Sequence, residues 1–551
     1  MDALVKKERK KRRTVFRVPV MTPREAVEMI RDGDTVAFCG AGGGITEATE
    51  VIEALAERYR TTGFPKDLTL FHSTGLGDRK ERGMSPLAQK GLVKAAIGGH
   101  WGQSPRLADM ADKNEIEAYN FPMGVMSQMM RAAAAGQPAV ITHVGLGTFL
   151  DPRQQGGKLN EVTKEDLIEL YEQDGKEYLK YRTIFPDVAI IRGTTADTEG
   201  YLSMEDEVVN VDNLATAMAV HNNGGTVICQ VQKVVKAGSL HPKRVHIPGY
   251  LVDALVVVPE QKQLYGAPVN RFISGDYIQD FEEESGRMPL NERKVIARRA
   301  LMEVEPGDIG NVGVGICDGI GVVAKEEGVN EQFTLTVETG AVGGVTAQGI
   351  FFGATVNMRA LVDMPYQFDF YDGGGLDISF LSFAELDRFG NVNVHKFNGK
   401  AMGTGGFVNI CQNSRKAVFC GTLRSGGLRT KVEDGKISIE QEGRYRKMVE
   451  QVPEITYNGR EAAERGQEAV YITERAVFRL SPEGLVLTEV APGLDLERDI
   501  FSQMDFRPLV SPDLKEMDAR LFRDENMGIR EEFKAKTKDR KGADHEPGKE
   551  I

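Results

Sequence analysis

One local plan occurs twice in this chain of 551 residues. Each copy runs helix, Gly-Asp turn, apolar β-run, glycine cluster, helix. In the first copy, Thr22-Pro23-Arg24-Glu25 reads as an N-cap followed by Pro at the first helical position, and the helix ends at Asp32-Gly33-Asp34. Thr35–Cys39 follows as a β-run, then Gly40-Ala41-Gly42-Gly43-Gly44, then a helix from Thr46 to Arg60. In the second copy, Asn291–Val304 reads as the helix and Glu305-Pro306-Gly307-Asp308 as the turn. Ile309–Ile316 is the β-run, carrying Gly310, Gly313 and Gly315, and a helix runs on to Glu327. Gly33 and Gly307 are the matching landmarks. A second echo is stronger. Asp187 opens the apolar run Val188–Ile191, and Asp377 opens Ile378–Leu381. Each is followed 13 residues later by a turn glycine, Gly200 or Gly390, with Asp197 or Asp387 three residues before it. Further β-runs fall at Leu68–His72, Val140–Val144, Thr226–Val231 and Ala254–Val258. Strands alternating with helices predict α/β domains with largely parallel sheets, and the repeat predicts two copies of one unit.

The apolar pattern stops between Asp276 and Leu290, a stretch rich in acidic residues with Gly286 and Pro289, and the joint between the copies is placed there. The resulting plan is a basic N-terminal arm (1–20), a first domain (21–275), a linker (276–290), a second domain (291–525) and a charged tail (526–551) expected to be disordered. The basic run Lys6–Arg13 reads as a solvated arm, with a targeting or anion-binding role as the other reading. It precedes no apolar stretch of the kind a secretory signal needs, and no run of 18 apolar residues offers a membrane helix. Acidic residues outnumber basic ones by 81 to 69, which argues against a protein that coats nucleic acid. Five cysteines without a C-x-x-C spacing argue against a disulfide framework or a zinc site and fit the cytoplasm.

The most informative segment for chemistry is Phe333-Thr-Leu-Thr-Val337-Glu338-Thr339-Gly340, followed by Gly343-Gly344. A β-run ends in a single Glu and meets a glycine-rich turn at once. In open α/β sheets, ligands bind at the carboxyl ends of strands. A carboxylate fixed there can act as general base, metal ligand or nucleophile, or can simply cap the turn. A second segment, Gly403-Thr404-Gly405-Gly406-Phe407-Val408-Asn409, offers backbone N–H groups to an anion, or is a tight loop. The cluster Gly40–Gly44 lacks the G-x-G-x-x-G spacing, and the next β-run ends in Phe71-His72-Ser73 rather than an acidic residue, so dinucleotide binding is disfavoured. G-x-S-x-G, Walker A and histidine zinc motifs are absent. His241-Pro242-Lys243-Arg244-Val245-His246 reads as a phosphate-binding loop or an exposed turn.

Together these segments resemble the family I coenzyme A transferases, most nearly the single-chain acetate or propionate type that fuses two subunits. Val337-Glu338-Thr339-Gly340 with Gly343-Gly344 resembles the catalytic glutamate motif, and Gly403–Ile410 the oxyanion and CoA loop. Val144–Phe149 through Asp151-Pro152-Arg153 to Gly156–Asn160 is similar to an N-terminal block. Thr473–Phe478 with Glu489–Asp495 is similar to a C-terminal one. The likeness runs from Pro23 to Arg507 and departs at Pro122-Met123-Gly124, where relatives usually carry Pro-Gln-Gly.

The resemblance implies two tandem CoA-transferase-type open-sheet domains with the site at their interface. It implies Glu338 as nucleophile, with acyl-glutamyl anhydride and glutamyl-CoA thioester intermediates in a ping-pong reaction. It assigns Gly403, Gly405, Gly406, Phe407 and Asn409 to oxyanion and CoA binding, with the N–H groups of Gly405 and Gly406 as donors. Gly42, Gly43, Gly340 and Met123 are expected to line the substrate pocket, with Met123 favouring a more apolar acyl chain. Coenzyme A is then a substrate attached transiently, with no resident cofactor or metal. The partners are acyl-CoA and short-chain carboxylic acids, without nucleic acid or membrane, in a homotetramer or homodimer. The rival readings are an acyl-CoA hydrolase on the same scaffold and a non-catalytic acyl-CoA or sugar-phosphate sensor.

Overall fold

The computed structural model describes residues 17–280 and 287–543. Parts of the basic arm (1–16), of the joint (281–286) and of the tail (544–551) lie outside the described residues. The chain forms two α/β open sheets. The first has eight strands, all parallel. Their order is Val20–Met21, Ala254–Val257, Thr226–Val231, Val188–Arg192, Thr35–Phe38, Leu68–His72, Val93–Gly98, Glu117–Asn120. The second has ten strands around a parallel centre ordered Glu468–Ile472, Lys416–Cys420, Ile378–Ser382, Ile309–Val312, Thr334–Thr336. Setting Thr35–Phe38 against Ile309–Val312 matches five neighbouring strands one for one, so the sequence repeat is a repeat of topology. Central strands are apolar on both faces, as in Val188–Ile191 where every residue is buried, because helices cover both sides of a parallel sheet.

The echoing aspartates have a physical cause. Asp187 Oδ2 accepts the N–H of Thr35 at 2.9 Å, and Asp377 Oδ2 accepts that of Ile309 at 2.9 Å. Each carboxylate therefore anchors the start of the neighbouring strand. At the turns, Asp197 Oδ1 accepts from Glu199 and Tyr201, and Asp387 Oδ1 from Phe389 and Asn391. The φ angles of Gly200 (90°) and Gly390 (78°) are ones that side-chain-bearing residues avoid.

Several expectations need correction. The first helix is only Pro23–Val27, closed by a Thr22/Glu25 capping box. The second starts at Thr49, because residues 41–45 are held as a tight loop by a bridge between Ala41 and Ile45. The β-run placed at Val140–Val144 is Ala139–Thr142, and it joins a separate antiparallel sheet with Ile168–Gln173 and Lys176–Arg182. The signal for that sheet is the Asp174-Gly175 hairpin turn, both residues at positive φ. Strands Val93–Gly98 and Glu117–Asn120 were not anticipated. The charged stretch from 526 is not wholly a tail: Arg530–Ala543 is helical, and Met527, Ile529 and Phe533 are buried in the second domain's core. Three apolar side chains suffice to dock a segment whose remaining residues are mostly charged.

Candidate active site

Glu338 stands at the tip of a tight hairpin. Thr334–Thr336 ends the parallel strand, and Ala341–Val342 returns antiparallel to it. The Gly340 N–H donates to Val337 O and the Val337 N–H to Ala341 O, both at 2.9 Å, so Glu338 and Thr339 are the middle residues of the turn. The base of the strand is pinned. Thr336 Oγ1 donates to Gly310 O at 2.8 Å and pairs with Tyr371 Oη at 2.8 Å, and Asn311 Nδ2 donates to Thr336 O at 3.2 Å. Glu338 is thus rigidly aimed. Its Oε2 is enclosed and without a hydrogen-bond partner among the described residues. Burial pushes the carboxyl up to about 7, against smaller downward pulls from its own backbone N–H and from Asn311. A glutamate that served only to cap its turn would be acidic; burial holds this one near neutrality, with one oxygen left unpartnered.

The glycine loop is stitched to the first domain. The N–H groups of Trp101 and Gly102 donate to Met402 O, at 2.8 and 2.9 Å. The Gly405 N–H donates to Gly99 O at 2.8 Å, and the Met123 N–H to Gly405 O at 2.9 Å. Asn120 Oδ1 accepts the Thr404 N–H at 2.9 Å. So close a seam requires glycine. A Cβ on Gly403, at φ 82°, would lie 2.6 Å from His100 Cα. Behind the loop, His395 stacks on Phe149 with ring centroids 3.6 Å apart, and its backbone carbonyl accepts the N–H groups of Met402 and Gly403.

The hairpin and the loop share a cavity of ≈ 700 Å³. Its first-domain wall comes from the ends of four adjacent strands: Gly42 after Phe38, Gly75 after His72, His100 and Gln103 after Gly98, Met123 after Asn120. Its second-domain wall includes Gly313 and Val314 after Val312, and Glu338 after Thr336. Both sheets therefore present the carboxyl ends of their strands to one space, as open α/β sheets do to ligands. Five cavity-lining residues carry an enclosed polar atom without a partner: Glu338 Oε2, Thr339 Oγ1, Thr404 Oγ1, His100 Nδ1 and Gln103 Oε1. Leaving such atoms unpaired costs about 1–3 kcal/mol each, so their concentration here marks a surface shaped for a polar ligand.

Of the residues singled out in the sequence, Glu338, Gly403, Gly405, Gly406, Phe407, Met123 and Gly42 line the cavity. Three do not. Asn409 is fully buried, with Oδ1 accepting the Gly124 N–H at 3.1 Å and Nδ2 donating to Asp372 at 2.9 and 3.1 Å. It ties the two domains together rather than facing a ligand. Gly43 packs against the backbone of the other domain, where a Cβ would lie 2.5 Å from Ile350 O. Gly340 shapes the hairpin, since a Cβ there would lie 1.9 Å from Val362 O. Gly405 lines the cavity, but its N–H is already given to Gly99; Gly406 is the loop glycine whose N–H makes no backbone hydrogen bond among the described residues. His100 and Gln103 were missed because they follow a strand that was itself missed. Within His241–His246, Pro242–Arg244 is an exposed turn and Val245–His246 enter a short strand, and none of the six lines the cavity.

Comparison with known proteins concerns the chain as a whole. Positions 20–258 match the coenzyme A transferase family. Acetate CoA-transferase YdiF of Escherichia coli O157:H7 is 61% identical over 514 residues, which cover 93% of this chain and 97% of that protein. Caffeate CoA-transferase of Acetobacterium woodii is 42% identical over 518 residues, covering 92% and 98%. The crystal structure of the acyl-CoA transferase YdiF apoenzyme from E. coli O157:H7 has a TM-score of 0.90 at 60% identity, over 94% of this chain and 98% of that one. The structure of that protein's thioester complex with CoA matches equally well.

Proposed function

The chain belongs to the coenzyme A transferase family and is a CoA-transferase; from that premise we propose that it moves CoA between a short-chain acyl-CoA and a free carboxylic acid through covalent intermediates on Glu338. The observation that carries this reading is the unpartnered Oε2 of Glu338, held on a rigid hairpin tip in a cavity it shares with the glycine loop.

The Glu338 carboxylate attacks the thioester carbonyl of the donor. The carbonyl oxygen takes the negative charge in the tetrahedral intermediate, and the Gly406 N–H, not engaged by another backbone group among the described residues, is the candidate donor to it. Expulsion of CoA thiolate leaves an acyl-glutamyl anhydride. The thiolate then attacks the glutamyl carbonyl of that anhydride, releasing the donor's carboxylate and leaving a glutamyl-CoA thioester. An acceptor carboxylate runs the two steps in reverse. A carboxylate is a weak nucleophile, and the enclosure that raises its pKa also removes the water that would otherwise solvate it. Remote contacts to the long CoA arm can offset that desolvation. The thioester complex of the E. coli relative is consistent with this course.

Met123, Leu381, Phe407 and Ile410 give the cavity an apolar stretch that suits a short acyl chain. Five buried, unpaired cysteines support a reducing cytoplasmic setting. The domain boundaries near 275 and 290 and assembly as a homotetramer or homodimer belong to the same reading. The test is release of CoA thiol from acetyl-CoA with and without acetate or propionate. Exchange that needs the acid supports the transferase. Release without acid would favour hydrolysis over transfer, and no turnover with any acyl-CoA would refute the proposed reaction.

A further inference from the structure

The first-domain wall holds a feature that the steps above do not use. His100 and Gln103 lie side by side over Gly75: a Cβ there would sit 2.8 Å from both His100 Nδ1 and Gln103 Cγ. Gln103 also covers Gly42, where a Cβ would sit 2.9 Å from its Nε2. Two glycines thus let two polar side chains lie flat on the backbone, and both glycines line the cavity with them. Each side chain has an enclosed atom without a partner, Nδ1 of His100 and Oε1 of Gln103. His100 reaches the reaction centre's loop, since a Cβ on Gly405 would lie 3.8 Å from His100 Cδ2 and 3.8 Å from Met123 Cε.

The chemistry of the pair narrows what it can bind. The Gln103 amide oxygen accepts a hydrogen bond. Burial, with the nearby charges of Arg79 and His72, pushes the His100 imidazole down to about 4, so the ring is neutral at pH 7 and its Nδ1 can donate in one tautomer. A neutral imidazole beside a neutral side-chain amide matches a group that both donates and accepts, a hydroxyl or an amide. Met123 leaves the neighbouring wall apolar, so this pair supplies the polar recognition at that end of the cavity.

We propose that His100 and Gln103 form a specificity subsite that hydrogen-bonds a neutral hydroxyl or amide group of the bound substrate. The inference rests on the cavity being the site of acyl transfer. Two sources of that group are chemically equivalent: a hydroxyl on the acid, or an amide of the pantetheine arm of CoA. Transfer kinetics of wild type and Gln103→Met, a near-isosteric change, would separate them. Acetyl-CoA is the donor, and propionate and lactate, which differ by one hydroxyl, are the acceptors. If the acid supplies the group, the lactate-to-propionate ratio of kcat/KM falls tenfold or more. If pantetheine supplies it, kcat/KM falls for both acids together and the KM for acetyl-CoA rises about tenfold. Should Gln103→Met fold poorly, His100→Asn and His100→Leu serve instead. Asn keeps a polar atom at the position of Nδ1 and retains the effect, whereas Leu loses it; a merely structural role would not distinguish them in this way. A ratio and an acetyl-CoA KM both within twofold of wild type would overturn the subsite. A wild type that transfers CoA to no acid would overturn both the subsite and the proposed reaction.

Discussion

Replacing Glu338 by Gln should stabilise the protein, and only above a defined pH. Burial raises the folded-state carboxyl from its ordinary 4.5 to about 7. Between those values the native state holds a proton that the unfolded chain has released. Stability therefore falls as pH rises through that window, and the cost is complete above about 7. At about 1.4 kcal/mol per pH unit, the ionised Glu338 costs the native state about 3 kcal/mol at pH 8 and nothing at pH 4.5. Gln has nearly the same shape and no charge to bury, so the substitution removes the cost. With an unfolding entropy of about 2.1 cal/mol/K per residue, Glu338→Gln should raise Tm at pH 8 by about 3 °C if the whole chain unfolds together, and by about twice that if the second domain unfolds alone. Thermal unfolding of both proteins from pH 5 to 8.5 measures the difference. It should be near zero at the acid end and grow with pH. A Tm difference that stays constant across the range, or a variant less stable than wild type at pH 8, would refute the claim that the carboxylate is held against a desolvation cost.

Three further outcomes follow from the same geometry. The nucleophile must be ionised, so kcat/KM for the acyl-CoA should fall about tenfold per pH unit below a midpoint near 7; a profile flat down to pH 5.5 would contradict the raised Glu338. Gly403→Ala forces a Cβ to 2.6 Å from His100 Cα at a φ of 82°, so it should lower stability by about 2 kcal/mol or more and abolish most transfer activity; a variant with near-wild-type Tm and rate would mean the loop seam is not needed. Met123→Gln places an amide on an otherwise apolar stretch of wall and should shift the acetate-to-butyrate kcat/KM ratio toward acetate by severalfold; an unchanged ratio would remove Met123 from specificity.

The sequence made the architecture legible where a residue's role is local. Asp187 and Asp377 announced the repeat because each performs the same backbone-anchoring task in its own sheet. Glu338 stood out through its likeness to a family motif, since spacing alone left it equally a turn cap. What was hidden depends on contacts distant in sequence. Gly405 looks like a free donor until the fold sets Gly99 O against it, and Asn409 looks like a ligand contact until it is seen bridging Gly124 and Asp372. Strand Val93–Gly98 escaped because Lys94 and two alanines weaken its apolar pattern, and His100 and Gln103 were lost with it. The tail helix was masked by its own charge: only Met527, Ile529 and Phe533 report the docking.

The most direct test of the covalent account is mass spectrometry of the intact protein after incubation with acetyl-CoA and treatment with borohydride, comparing wild type with Glu338→Ala. Borohydride reduces a glutamyl thioester to an alcohol, a loss of about 14 Da. The account predicts that loss in wild type, mapped by peptide analysis to Glu338, and its absence in Glu338→Ala. An unmodified wild type that nevertheless transfers CoA to an acid, or a mass change that persists in Glu338→Ala, would contradict it.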